Sequence, residues 1–155
     1  MRNSIAFVVL TALLFSCNTR QVYSEYRDVE TSWDRNDPII FSFAIDDISQ
    51  PYQLVAEFRN DQEFTYYNLY FNFILSGESG DTLINELKEV ILFEPKTGKP
   101  LGSGLGDVFD NVLVLTDEVR LPEAGAYQVS IQQQMRDVNL EGIHRVGFWV
   151  EAAEQ

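Results

Sequence analysis

Few side chains in this sequence have the types and spacing that chemistry requires. Gly102-Ser103-Gly104-Leu105-Gly106-Asp107 has the glycine density of a phosphate-cradling loop. It lacks the Gly-x-x-x-x-Gly-Lys order and the dinucleotide spacing, and no strand–loop–helix unit surrounds it. Gly102, Gly104, Gly106 and Asp107 therefore read as a backbone turn needing positive φ, or as a partner contact. Asp107 with Asp110 falls short of the roughly six to eight oxygens that calcium prefers. His144 is the only imidazole. A triad needs a histidine facing a nucleophile, and no Gly-x-Ser-x-Gly elbow is present, so a structural or surface histidine is expected. Adjacent acids (Asp46-Asp47, Glu86 with Glu89, Asp117-Glu118) arise by chance among 24 carboxylates. Glycoside hydrolysis asks for two carboxyls about 5–9.5 Å apart in a cleft, which adjacency in sequence does not provide. No catalytic residue, metal set or cofactor is expected, and the chain reads as a non-enzyme.

Two further groups are candidates for binding. Trp33, Tyr67, Tyr70 and Trp149 are of the type that stacks on sugars or peptides, and equally of the type that fills a sheet core. Residues 132–136 (QQQMR) leave a predicted strand. If Gln133 points inward its amide needs partners, so Gln133 and Arg136 belong to a structural network or a contact site.

The chain has 155 residues, 45% hydrophobic and 23% charged, which suits one globular domain. Eleven Lys and Arg against 24 acids give a net charge of −13. Nucleic-acid binding needs a basic face to replace phosphate counterions, so no nucleic-acid partner is expected. One Cys excludes an internal disulfide and a Cys-based zinc cluster.

That single Cys falls at an informative place. Met1-Arg2-Asn3 is positive, and residues 5–15 are apolar except Thr11. The run is too short to span a bilayer, which takes about 20 residues, and has the proportions of a signal-peptide core. Leu14-Phe15-Ser16-Cys17 then resembles a bacterial lipobox, with Phe15 departing from the usual small residue. In this reading residues 1–16 are a lipoprotein signal peptide and Cys17 is lipidated. Two or three acyl chains anchor stably where one does not. The expected partner of Cys17 is a membrane, and the expected location is the cell envelope, lipid-anchored at the outer membrane and facing the periplasm.

The elements after Cys17 read as strands. Residues 18–27 are a tether and early strand, with residues 17–30 taken as the lipidated tether. Phe41, Phe43 and Ile45, then Tyr52, Leu54, Ala56 and Phe58, then Leu69, Phe71, Phe73 and Leu75 alternate with period two. Residues 59–62 read as a loop. Residues 82–93 fit a strand with an irregular middle better than a helix, and residues 112–115 read as a short buried strand. Tyr127, Val129, Ile131, Gln133 and Met135 share one side, and Val146, Phe148 and Val150 alternate with Trp149. Pro122-x-x-Gly125-x-Tyr127 resembles the corner where a Tyr hydroxyl bonds back to the backbone. Seven or eight strands over residues 31–155 predict an all-β, antiparallel β-sandwich, jelly-roll or immunoglobulin-like.

Five stretches in order resemble the GldH-type gliding motility lipoproteins of Bacteroidetes. They are Cys17 followed by Val22-Tyr23-Ser24-Glu25-Tyr26; Asp81-Thr82-Leu83; residues 101–107; residues 122–136, ending Ile-Gln-Gln-Gln-Met-Arg; and residues 140–150 with Gly142 and Gly147. Gln134 stands where a typical member has Ala. The resemblance implies an envelope lipoprotein needed for gliding, in cells where surface adhesins are moved by a proton-powered inner-membrane motor linked to type IX secretion. It implies other gliding-machinery envelope proteins as partners, Cys17 as the lipidated residue, and no assigned enzymatic activity or cofactor. The alternative, from the aromatic residues, is a periplasmic module that binds glycan or peptide.

Overall fold

The structure is a computed structural model that describes residues 20–153; the expected signal peptide, residues 1–16, and Cys17 lie outside the described residues. The described chain is strand and loop: β1 (Gln21–Asp28), β2 (Trp33–Asp34), β3 (Ile39–Ile45), β4 (Tyr52–Asp61), β5 (Asn68–Gly77), β6 (Thr82–Ile91), β7 (Ser103–Leu105), β8 (Val108–Val119), β9 (Gly125–Gln133), β10 (Asn139–Leu140) and β11 (Ile143–Ala152). A five-stranded sheet runs β1-β11-β4-β8-β7 and a four-stranded sheet runs β3-β9-β5-β6, every pairing antiparallel. β2 and β10 pair separately at one end. The architecture is the expected sandwich.

The period-two residues meet between the sheets because only that placement hides one face of each strand from water. Leu54, Ala56 and Phe58 of β4 and Val146, Phe148 and Val150 of β11 face Phe41 of β3, Phe71, Phe73 and Leu75 of β5 and Val129 and Ile131 of β9, all fully buried. Phe58 and Phe71 rings sit 4.8 Å apart, and Phe148 lies 5.5 Å from Phe41 and 5.7 Å from Phe43. Each such ring contributes about 1.5–3 kcal/mol relative to an exposed one. The corner also forms: the Tyr127 hydroxyl donates to the Glu123 carbonyl at 2.6 Å.

Four local expectations change. Residues 59–61 continue β4, because Arg59 and Asn60 pair with β8 and find partners there. β8 is 12 residues long, and Val112 and Val114 are not buried but 57% and 41% exposed, since nothing packs on that side of the sheet. β1 pairs with β11 from Gln21 onward, so the stretch read as tether and early strand is mostly strand. β6 is regular in its middle, and its irregularity falls near its start, opposite Leu75 and Ser76. As an edge strand β6 carries inward-pointing Glu86 and Lys88, ion-paired at 2.6 Å. Inward charge of this kind discourages edge-to-edge association.

Candidate functional site

The outer face of the five-stranded sheet gathers the largest share of the residues singled out in the sequence. Antiparallel register lines its side chains into rows across the strands. One row is Ser24, Trp149, Val55 and Val114; the next is Tyr26, Gly147, Glu57 and Val112; the third is Asp28, Arg145, Arg59, Asp110 and Ser103. Gly147 allows this arrangement, since a Cβ there would stand 2.6 Å from the Tyr26 ring. The Arg145 guanidinium sits 4.7 Å from the same ring, a cation–π contact.

The charged row is paired across the strands, while Arg145 Nε is buried without a hydrogen-bond partner. Arg59 donates to Asp110 through Nε at 2.6 Å and Nη2 at 2.8 Å. This planar two-point bond is the strong form of an Arg–carboxylate pair. Arg145 reaches Glu57 at 3.4 Å and Asp110 at 3.9 Å. The hydrogen bond from Arg59 holds the Asp110 carboxyl below its ordinary value of 3.8.

The glycine-rich segment forms the β7–β8 hairpin at the border of this face. A Cβ on Gly104 would lie 2.0 Å from the Val108 carbonyl oxygen, and one on Gly102 would lie 2.7 Å from the Asp110 carbonyl and the Asn111 amide. Gly106 has φ of 72°, the sign a type II′ hairpin asks of its first central residue, with Asp107 second. The three glycines and Asp107 therefore shape the turn, and what they present is Leu105, 95% exposed. Leu105, Tyr26, Val112 and Val114 carry no site role in the sequence reading, where they fall within a turn, a family-like stretch and a buried strand. Near-continuous apolar character in residues 112–115 reads as burial on both faces, and only the absence of a covering layer distinguishes the outer pair.

The other candidates separate. Trp33 is 3% exposed and its indole donates to the Asp37 carbonyl at 3.1 Å, so it belongs to the core and not to a stacking face. Trp149 lies on the five-stranded sheet, while Tyr70 is on β5 of the opposite sheet and Tyr67 directly precedes it; the four aromatics form no common surface. Gln133 is fully buried. Its amide donates to the carbonyls of Trp33, Asp137 and Val138 at 3.2, 3.0 and 3.2 Å, and its oxygen accepts from the Met135 amide at 2.8 Å. Of the two possibilities it is the structural network, and no partner reaches it. Arg136 is exposed next to it, and its carbonyl accepts from Arg35.

His144 bonds to Asp61 at 2.7 Å, half exposed, and ties the start of β11 to the end of β4. Glu86 and Glu89 point to opposite faces of β6 and share no site. Asp47 caps its own turn through the Ser49 amide at 2.9 Å and hydroxyl at 2.6 Å; these bonds lower its carboxyl. No group of three or more His, Cys, Asp or Glu is placed to hold a metal among the described residues. Nor is any helix among them long and apolar enough to cross a membrane.

Among solved structures, the chain is similar to infectious bursal disease virus VP2 subviral particle, with a TM-score of 0.40 and 14% identity over 86% of this chain and 33% of that one. It is similar to dimeric latent PorU from Porphyromonas gingivalis at a TM-score of 0.35 and 7% identity, over 89% of this chain and 13% of that one. Sequence comparison reaches further. The chain is 33% identical to a "Gliding motility lipoprotein GldH homolog" of Christiangramia forsetii, covering 97% of this chain and 96% of the relative. It is 28% identical to "Gliding motility lipoprotein GldH" of Flavobacterium johnsoniae, covering 97% of each. The family model described as GldH lipoprotein matches residues 21–150, from the first residue of β1 to the core Val150 of β11. The chain belongs to the GldH lipoprotein family.

Proposed function

We propose that this chain is a lipid-anchored, non-catalytic component of the gliding machinery, linked to type IX secretion, that stabilises a neighbouring envelope protein by docking it on the outer face of the five-stranded sheet. The observation that carries the reading is the set of uncovered apolar side chains there: Tyr26, Leu105, Val112 and Val114, around Trp149. In a chain of net charge −13 such a patch is costly to leave in water, and an apolar centre with a polar rim is the composition of a protein interface. The names of the two relatives supply the process.

The anchor is assigned to Cys17, the sole Cys, in the outer membrane with the domain facing the periplasm. Only residues 18–20 separate it from β1. Four residue steps reach about 14 Å at most, so the end of the sandwich where β1 starts and β11 finishes stays close to the bilayer. That end carries Asp46, Asp47, Asp117, Glu118 and Glu151, and the β7–β8 hairpin projects at the other. The docking face then stands upright from the membrane, reachable from the side.

The test is a deletion strain complemented with wild type or with Cys17→Ala, scored for gliding and for adhesin secretion. The expected result is that the deletion is immotile and only wild type restores movement, with one envelope protein falling in abundance in its absence. A deletion strain that glides and secretes normally would sink the proposal.

A further inference from the structure

The outer face of the four-stranded sheet has a different chemistry. Its rows run Ser42, Gln128 and Ser76; Ile40, Ser130, Ile74 and Asn85; Gln132, Asn72 and Leu87; and Tyr70 with Glu89. Glu89 is the one charged side chain in these rows, in a chain whose charged fraction is 23%. Solvated sheet faces are ordinarily where a protein places its charge. Here the two central strands, β9 and β5, present mainly amides and hydroxyls, and the exposed aliphatic side chains Leu83, Leu87 and Ile91 lie along the β6 edge. At one end stand Tyr70, 37% exposed, and Tyr67, 47% exposed.

The groups are held in place. Asn72 donates to Asn85 at 3.1 Å across the strand pair, and Gln132 donates to the Arg35 carbonyl at 2.7 Å. The Tyr70 hydroxyl is hydrogen-bonded to Glu89, which also accepts from Asn68 at 2.7 Å. Each amide still offers donors and acceptors on one group, as each hydroxyl does. Such a surface pairs with a ligand that is itself donor and acceptor at every position. It has no positive charge to draw a polyanion and no cluster of acids to draw a basic peptide. Its exposed aliphatic side chains are confined to the β6 edge, so the middle of the face lacks the apolar centre of a protein interface. Tyrosine rings add an apolar body with a wet edge, suited to the C–H faces of a sugar ring.

From this charge match we propose that the outer face of the four-stranded sheet is a binding platform for a neutral glycan, with Tyr67 and Tyr70 as its stacking end and Asn72, Gln128 and Gln132 as its hydrogen-bonding floor. The site is separate from the apolar face of the opposite sheet and does not depend on what docks there.

The experiment measures retention of the full lipoprotein, in a sugar-free detergent, on resins coupled to dextran, galactomannan or laminarin, with polygalacturonate as the acidic control. The expected result is retention on at least one neutral resin and none on the acidic one. The Tyr67→Ala/Tyr70→Ala double variant weakens it by at least about tenfold, the loss of one good anchor. Gln132→Ala weakens it less, and Val112→Thr/Val114→Thr leaves it unchanged. Thermal melting and the gliding assay on the same variants separate misfolding from lost binding. Failure on all three neutral resins overturns the proposal, as does preference for the acidic resin or undiminished retention by a folded tyrosine double variant.

Discussion

Across the outer face of the five-stranded sheet, Asp28, Arg145, Arg59 and Asp110 form a charged row beside the apolar side chains of Tyr26, Val112 and Val114, whereas the two central strands of the four-stranded sheet present mainly amides and hydroxyls outward and leave the exposed aliphatic side chains Leu83, Leu87 and Ile91 at the β6 edge. Both faces cover the same core and both are solvated. Burial therefore accounts for neither composition, since the demand to hide apolar area is met entirely by the inner positions. What differs is what each face offers a partner: exclusion of water on one side, hydrogen bonding on the other. The two are also built differently at their ends. The five-stranded face depends on three glycines that let β7 approach β8, and the four-stranded face depends on one buried amide beneath its Tyr70 end.

The largest expected loss of stability comes from that amide. Gln133→Leu leaves the carbonyls of Trp33 and Asp137 and the amide of Met135 without their side-chain partner, while the Val138 carbonyl keeps the Arg35 amide. Losing buried partners costs about 1–3 kcal/mol for each group left unsatisfied, so the substitution destabilises by about 3 kcal/mol or more. The Gln134 amide donates to the Tyr70 carbonyl, so the damage spreads to the four-stranded face first. Amide exchange should quicken in residues 132–140 and around Tyr70 before it quickens in β8. Equal acceleration in both sheets would break the distinction between them.

Gly104→Ala is next. A methyl group 2.0 Å from the Val108 carbonyl forces β7 away from β8. The loss is confined to the hairpin and comes to about 2 kcal/mol, within the range for overpacking. Leu105 is displaced with it, so gliding should fail while glycan retention persists. A variant that keeps its melting temperature and its motility would remove the hairpin from the five-stranded face.

How far these features could be read in the sequence follows from what decides them. Period two fixed which side of each strand is buried, and Tyr127 with Glu123 obeyed its corner pattern, because those are local rules. The resemblance of residues 14–17 to a lipobox is a reading of local order alone and draws on no feature of the fold. Trp33 reads equally as a stacking or a core residue, since a lone aromatic gives no sign of its neighbours; β2 is two residues long, and its Trp33 is held locally by the Asp37 carbonyl and from across the chain by Gln133. Val112 and Val114 read as core for the complementary reason. A strand apolar on both sides looks doubly buried until the count of layers is known, and two sheets leave two outer faces uncovered. The grouping of Trp149 with the glycine hairpin was invisible, because it depends on β8 and β11 both flanking β4.

Asp110 sharpens the comparison through pH. Its carboxyl lies below the ordinary value because Arg59 donates to it. A lowered folded value means that the pair adds stability above the ordinary value of 3.8, and that this is lost as pH falls through the folded value. Both side chains are partly exposed, so the contribution is held to about 1 kcal/mol or less. Asp110→Asn should therefore melt lower than wild type at neutral pH, and the two should converge under strong acid. Glycan retention, on the opposite face, should not follow the substitution at neutral pH. A gap that widens in acid would contradict the role given to Arg59.

Val112→Thr/Val114→Thr carries the smallest expected effect on folding and the sharpest effect on function. Thr keeps the β-branching that suits a strand, and it exchanges a methyl for a hydroxyl where water already reaches. Stability should move by no more than about 0.5 kcal/mol. Crosslinking of the lipoprotein to its envelope neighbour, if the five-stranded face excludes water on docking, should fall by about tenfold, because two hydroxyls must then be desolvated without partners. The paired change Asn72→Ala/Gln132→Ala, at half-buried positions, truncates two amides and should leave that crosslink intact and weaken glycan retention. The two double variants thus form a crossed test. If both lose the same function, the faces act as one surface and the division between an apolar docking side and a hydrogen-bonding side is wrong.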